Sequence, residues 1–493
     1  MEQEEKRAPL SAAFSFAREV LTSPACLRVI VAVALANLAV LLMNRSFFPL
    51  FDDVFTYARD ISISCSGVFC IIVGLMSLVC PQRLSGRALT LGTLGALVAG
   101  VALSILGIVF NLSFALVAGA ALFVVARGWG MLTSNLSAVR LPAAQAVVCI
   151  TFGIGLGQVA ELPLRLLLPQ AVCVGIMFVA TACTIVLPSK VAGDIVDTIG
   201  RSESAADLAV TRPASFVPLN SQFYVFLILS QAVFGFALRF GEVGGMPAFG
   251  SMSSFFVLTL ALIVIATGGR FFSDVLANIV ILVLVAGFLL IIAGGTSNVF
   301  LANGVLTVGT SLFNALMYTV LVALAGRNRL ASLSIMGWGV GLASLSTTFG
   351  ALVGTNANAM VAGGGHGQLA MLLSVVVLFV VGYILFGLRH FSFEATIEGV
   401  EAMSTAELAA VAQAQAQPGG EELFDARCHE LAAKYGLTPR EEETFAMLAR
   451  GRNREYIEEH LGVSRNTVKA HVKHVYAKLD IHSHQELIDL VEG

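Results

Sequence analysis

Ser464-Arg465-Asn466-Thr467-Val468-Lys469-Ala470-His471-Val472-Lys473-His474-Val475-Tyr476-Ala477-Lys478-Leu479 carries two patterns on one stretch of chain. Val468, Val472, Val475 and Leu479 recur at spacings of 4, 3 and 4, which makes one apolar stripe of an α-helix. Arg465, Lys469 and Lys473 stand one turn apart on another face, with Asn466 and Ala470 beside them. From Arg465 to Lys478 there are six basic or potentially basic side chains (Arg465, Lys469, His471, Lys473, His474, Lys478) and no acid. The surroundings are acid-rich, as in Glu441 to Glu443 and Glu458-Glu459. One basic helix on an otherwise acidic module suits insertion into the major groove of double-stranded DNA.

Working outward, Thr438-Pro439-Arg440-Glu441 predicts a helix start. Thr438 caps, Pro439 takes the first helical position, and Glu441 completes a capping box. That helix turns Phe445 and Leu448 inward, and Gly451 ends it. A short second helix over about 454–460 places Ile457 one turn from Leu461, and Gly462 allows a tight turn. Ser464 then caps the basic helix. A fourth helix starts at Ser483, with Glu486 as its box partner, and presents Leu487, Ile488 and Val491.

These residues resemble the LuxR-type (GerE/NarL-like) regulators. The match runs through Leu437-Thr438-Pro439-Arg440-Glu441, Gly451, Ile457, Leu461, Val463-Ser464, Thr467-Val468-Lys469, His471-Val472, Tyr476 and Lys478-Leu479. The resemblance implies a four-helix domain whose third helix reads the major groove. It implies base contacts from Lys469, Ala470 and Lys473, with Arg465, Asn466 and Thr467 near phosphates or flanking bases. It also implies a homodimer on a two-fold DNA site, formed through the fourth helix. Glu458 and His484 depart from the family's usual Ala and Arg, which puts one backbone contact in doubt.

The remainder of the 493-residue chain is of another kind. The whole is 57% hydrophobic and 12% charged, with a mean hydropathy of +0.85, against about 25% charged residues in soluble proteins. A polytopic membrane protein in contact with lipid is expected. Apolar segments fall at 26–43, 61–80, 88–108, 112–133, 143–163 and 168–187. A second set falls at 221–240, 252–268, 275–294, 299–325, 332–353 and 368–388. The fold class is therefore all-α: a bundle of twelve spans, six plus six, followed by a small soluble helix-turn-helix domain. The domains expected are a cytoplasmic N-terminus (1–25), the membrane domain (26–390) with a central cytoplasmic loop (188–220), a linker (391–420) and the DNA-binding domain (421–493). No cleavable signal peptide is expected, because the charged start from Met1 to Arg7 leads into no short apolar core with a small-residue cleavage site.

Loop charges set the orientation. With the N-terminus inside, the cytoplasmic segments hold Lys6, Arg7, Arg18, Arg28, Arg83, Arg87, Arg127, Arg140, Lys190, Arg201, Arg212, Arg270, Arg327, Arg329 and Arg389. The outer segments hold Arg45, Arg59, Arg165 and Arg239. Both termini then lie in the cytoplasm of a bacterial inner membrane, on the side where DNA is. The six-plus-six pattern resembles the major facilitator architecture. Gln82-Arg83-Leu84-Ser85-Gly86-Arg87 echoes that family's loop signature only in part, because the acidic residue is missing and the spacing is off by one. The departure puts active transport in doubt.

Polar groups at membrane depth are costly and mark candidate sites. Gln158, Glu161, Gln231, Arg239, Glu242, Asn314 and Tyr318 are the candidates for binding an unknown small-molecule ligand. Asn37, Asn303 and Trp338 also lie at depth, and buried Asn more often ties helices together. Arg45 near Asp52 and Asp53, and Arg239 near Glu242, would line an outer vestibule. The cysteines form no CxxC pair and the five histidines from His460 to His484 lack a completing carboxylate or thiol, so no metal or cofactor is expected. No nucleophile with a base, and no phosphate loop, stands in context, so the chain does not read as an enzyme. The expectation is a membrane-bound one-component transcriptional regulator. The alternative is a major-facilitator-type secondary transporter with an appended DNA-binding domain.

Overall fold

The structure, a computed structural model, describes residues 13–51, 57–201, 222–240, 250–294 (269 and 271 excepted), 299–362, 382, 392–400 and 420–450. It also describes 457, 460–463, 465–481, 486–487 and 490–491. The chain divides into two compact units, Met1–Gly200 with Phe216–Ala402, and Arg201–Ser215 with Met403–Gly493.

The first unit is a bundle of helices: α1 (Pro24–Leu42), α2 (Ala58–Val79), α3 (Gly86–Phe110), α4 (Ser113–Ala138), α5 (Ala143–Leu167) and α6 (Gln170–Val186). It continues with α7 (Ser189–Arg201), α8 (Gln222–Phe240), α9 (Gly250–Ala266), α10 (Ser273–Gly294), α11 (Val299–Arg327), α12 (Ser332–Ala362) and the short α13 (Phe393–Gly399). Eleven of the twelve expected spans coincide with a helix; the twelfth, 368–388, lies outside the described residues apart from Gly382. Among the described residues eight helices are long and apolar enough to cross a membrane, and α8 and α9 are shorter apolar helices. Helices suit this setting because each satisfies its own backbone hydrogen bonds where water is absent. Ser23 and Ser85 cap α1 and α3 by accepting from the backbone N–H of Cys26 and Ala88. Asn111 closes α3 in the left-handed region at φ 50°, a conformation Asn tolerates.

The polar interruption expected at 188–220 begins with a helix rather than a loop. α6 and α7 meet at a 48° bend. α7 buries Ala192, Ile195, Val196 and Ile199 along one side. Its Asp197 accepts the Gly86 N–H at 2.8 Å, placing a carboxylate at the positive end of α3. Arg140 reaches Asp194 of the same helix at 3.4 Å. Beyond the last span, Ser392 and the Phe393 N–H both donate to the Asp274 carboxylate, at 2.5 and 2.6 Å. The Phe393 ring packs edge-on against Phe223 and Phe226. The stretch expected to be linker from residue 391 is thus tied to the bundle at its start.

Helix seams run backbone to backbone. A Cβ added at Gly74 of α2 would lie 3.3 Å from the Gly337 Cα of α12, and one added at Gly337 would lie 2.7 Å from the Cys70 carbonyl. Gly235 of α8 and Gly350 of α12 do the same: a Cβ on Gly350 meets the Ala232 carbonyl and lies 2.8 Å from the Phe236 nitrogen. One placement corrects the expectation. Arg127, expected in a cytoplasmic loop, stands well inside α4.

Gly350→Val should therefore destabilise the bundle by about 1–3 kcal/mol through overpacking, read as a fall in melting temperature of the full chain in detergent. Gly92→Ala, whose Cβ would meet nothing within 4 Å, should leave it unchanged or raise it slightly.

Candidate functional sites: a basic helix and a polar seam in the bundle

The second unit contains α14 (Gly420–Tyr435), α15 (Pro439–Ala449) and α16 (Arg465–Leu479). Phe445 and Leu448 of α15 pack with Ile457, and with Val468, Val472, Val475 and Leu479 of α16, in one buried core. α14 adds Cys428 and Leu431, a contribution that the four-helix expectation did not contain. Gly436 ends α14 at φ 67°, and Gly462 takes φ 63° at the turn before the basic helix, where a side chain would be strained. The short second helix and the fourth helix lie mostly outside the described residues, but Ile457, Leu487 and Val491 reach the core.

The stripe of valines fixes the roll of α16. With Val468, Val472 and Val475 buried, Lys469, Ala470 and Lys473 are exposed together on the other face. Thr467 is half-buried. Arg465 and Asn466 occupy the first turn of the helix, and their side chains are outside the described residues. His471 is half-buried and His474 exposed.

Lys478 does not belong to that face. Its Nζ donates to the Glu441 carboxylate at 2.7 Å and to the Gly436 carbonyl at 2.9 Å. Glu441 is 5% exposed and also accepts the Thr438 N–H at 2.8 Å, which forms the expected capping box. One carboxylate therefore caps α15 and clasps α16. The Lys478 ammonium, followed by the Thr438 N–H, pulls the Glu441 carboxyl down to about 2 from its ordinary 4.5. The folded pKa lies below the unfolded one, so the stabilisation is fully present above pH 4.5 and is lost as pH falls through about 2.

Inside the bundle, four of the seven predicted ligand candidates meet along one helix. Ser311, Asn314 and Tyr318 follow spacings of 3 and 4 on α11 and so share a face. Gln158 of α5 donates to the Ser311 hydroxyl at 3.1 Å and accepts from Ser253 at 3.4 Å. Gln231 of α8 donates to Asn314 at 3.4 Å and accepts from Thr347 at 3.0 Å. Tyr318 makes no hydrogen bond among the described residues and is half-buried. Asn37 donates to the Val33 carbonyl of its own helix.

Glu161 stands apart from this group. It is 1% exposed and bonded to the Nη1 of Arg45 at 3.0 Å and the Nε of Arg165 at 3.1 Å. Arg45, expected near Asp52 and Asp53, reaches Glu161 from a π-helical turn over Met43–Phe47. Asp52, Asp53 and Glu242 lie outside the described residues, as do the side chains of Arg239 and Asn303. Sequence reasoning missed Arg127. Its signal was there, a basic residue deep inside the expected span 112–133.

The family described as "Bacterial regulatory proteins, luxR family" (GerE) matches residues 436–491. A protein of Aeromonas salmonicida described as "Putative HTH-type transcriptional regulator in exeN 3'region" is 39% identical over 82 residues, which are 16% of this chain and 42% of that one. The chain thus spans under half the length of that relative. The bundle is similar to solved transporters. The human organic anion transporter MFSD10 (TETRAN) is 15% identical, with 74% of this chain and 100% of that one covered and a TM-score of 0.46. A bacterial homologue of the iron transporter ferroportin is 14% identical, with 73% and 99% covered and a TM-score of 0.49. The E. coli fucose:proton symporter FucP is 16% identical, with 78% and 100% covered and a TM-score of 0.43.

Lys478→Met should cost the second unit roughly 1–3 kcal/mol at neutral pH, because it leaves the buried Glu441 carboxylate short of a partner. It should also shrink the stability lost between pH 4.5 and about 2. Urea unfolding of residues 420–493 across that range, followed by circular dichroism, checks both.

Residues 436–491, with their exposed lysines on a helix rolled by its own core, are a LuxR-family DNA-binding domain carried by a multi-pass helical membrane protein.

Proposed function

We propose that the chain is a membrane-bound one-component transcriptional regulator. Its bundle senses a small molecule or a state of the membrane, and its LuxR-type domain binds promoter DNA as a homodimer. The observation that carries this reading is the joint exposure of Lys469, Ala470 and Lys473 on α16, on a chain whose other unit holds eight membrane-length helices among the described residues. Ammonium groups on one face of an inserted helix can reach base edges and phosphates together. Arg465, Asn466 and Thr467, in the first turns of the same helix, sit where flanking contacts are made. Cytoplasmic termini in a bacterial inner membrane fit the charge of the expected inner loops, since that side faces the chromosome. Only about 20 residues lie between Val400 and Gly420, too few for a phospho-acceptor domain, so control would come from the bundle shifting the freedom or pairing of the DNA-binding units.

The polar face of α11, with Gln158, Gln231, Asn314 and Tyr318, supports a second reading in which the bundle carries a solute and the terminal domain regulates. Uptake into proteoliposomes separates the two.

The full chain in nanodiscs should retain discrete genomic fragments, with affinity falling steeply as salt rises. Lys469→Ala should cost roughly 1–3 kcal/mol on the specific fragment and much less on random DNA. Equal losses on both would make Lys469 a phosphate contact, and salt-insensitive retention would argue against DNA binding through this face.

A further inference from the structure

After its last span the chain is held to the bundle by two adjacent residues. The Ser392 hydroxyl and the Phe393 N–H each donate to one oxygen of the Asp274 carboxylate, at 2.5 and 2.6 Å. Asp274 lies in the first turn of α10. The Ser392 hydroxyl also accepts the Ala395 N–H at 2.9 Å and so caps the start of α13. The Phe393 ring goes elsewhere. It packs edge-on against Phe223 and Phe226 of α8, with centroids 6.3 and 5.3 Å away. One residue is thus held by its backbone to α10 and by its side chain to α8.

The rest of α13 follows that anchor. Phe393 and Val400 are buried, Thr396 and Ile397 are half-buried, and Glu394 and Glu398 are exposed. The short helix packs on α10 and α11. Two attachments on different helices make the joint sensitive to their relative position. A hydrogen bond weakens steeply once its angle or length departs from ideal, so a slide of α8 against α10 cannot keep both attachments. The ring pocket also reaches α11, the helix that carries the polar face. Phe226 lies 6.4 Å from Phe313, which neighbours Asn314, the partner of Gln231 on α8. An adjustment of α8 against α11 therefore acts on the ring that holds Phe393. From Val400 only about 20 residues lead to α14 of the second unit.

We infer that the joint of Asp274, Ser392 and Phe393 is the coupling device between the bundle and the DNA-binding unit. Held, it fixes where the chain leaves the membrane domain. Released by a movement of α8 against α10, it frees α13 and changes how the DNA-binding units pair on DNA. This deepens the proposed function and rests on that reading for its regulatory consequence. The joint supplies the two-state element that a sensing bundle must bias.

Hydrogen exchange of residues 392–400, in the full chain in nanodiscs, reads the joint directly, because Asp274 and Ser392 protect the Phe393 and Ala395 N–H groups. Asp274→Ala should speed that exchange roughly tenfold or more, the loss expected for charge-assisted bonds, and leave exchange of α1 to α6 unchanged. Phe393→Ala should do the same from the other attachment. Retention of genomic fragments by the same preparations should shift in one direction for both variants, by roughly fivefold or more. The double variant should shift no further than the larger single change, because both act through one joint. Phe393 lies on no membrane-length helix, so Phe393→Ala decides the matter if Asp274→Ala fails to fold. Four results would overturn the joint: exchange at 392–400 unaltered in Phe393→Ala, faster exchange with DNA retention unaltered, shifts of opposite sign in the two variants, or shifts that simply sum in the double variant. A parent chain that retains no DNA would overturn the proposed function and the regulatory role with it. A parent that retains DNA, with released variants that retain it equally, would overturn the joint alone.

Discussion

In lipid, apolar helices gain nothing by hiding apolar side chains from one another, so they hold together through close van der Waals contact and hydrogen bonds between them. That constraint organises the bundle. Gly74 against Gly337, Gly235 against Thr347 and Gly350 against Ala232 bring α2, α12 and α8 within backbone contact. The polar bonds then fall in register along α11, with Gln158 on Ser311 and Gln231 on Asn314. Because the seams leave no room for side chains, the few polar groups between helices are held at fixed positions.

The second unit obeys a different rule. In water, burial of apolar side chains supplies the drive, and a valine stripe on α16 sets which residues face out. Glu441 shows how one buried acid can do two jobs, capping α15 and holding Lys478 of α16. A lysine that belongs to the basic run by sequence is thereby committed to the fold. Lys469, Ala470, Lys473 and His474 are exposed on α16, away from its buried valine stripe.

Much of this is legible in the sequence because it is local. The spacings of Val468, Val472, Val475 and Leu479 define the helix and its roll, and Thr438 with Glu441 defines its neighbour's start. Span positions follow from apolar length alone. The rest depends on partners far apart in the chain, which one sequence does not pair. Arg45 and Glu161 are separated by 116 residues, and Lys478 and Glu441 by 37. Arg127 is misplaced because the count of loop charges takes it in, although it falls inside the expected span 112–133. The packing of Gly128 against Ser66 of α2 shows that this part of α4 is inside. α7 is hidden by its polar composition, although Ala192, Ile195, Val196 and Ile199 carry a helical period.

The central claim is that a protein embedded in the membrane places a LuxR-type domain on the chromosome. It is tested most directly by crosslinking living cells, isolating the membrane fraction, and sequencing the DNA that co-purifies with the full chain. Enrichment of a few discrete promoter intervals, lost when Lys469 and Lys473 are both changed to alanine, is the predicted result. DNA recovery no different from that double variant, or a C-terminal unit that proteases reach only from outside the cell, would contradict the account.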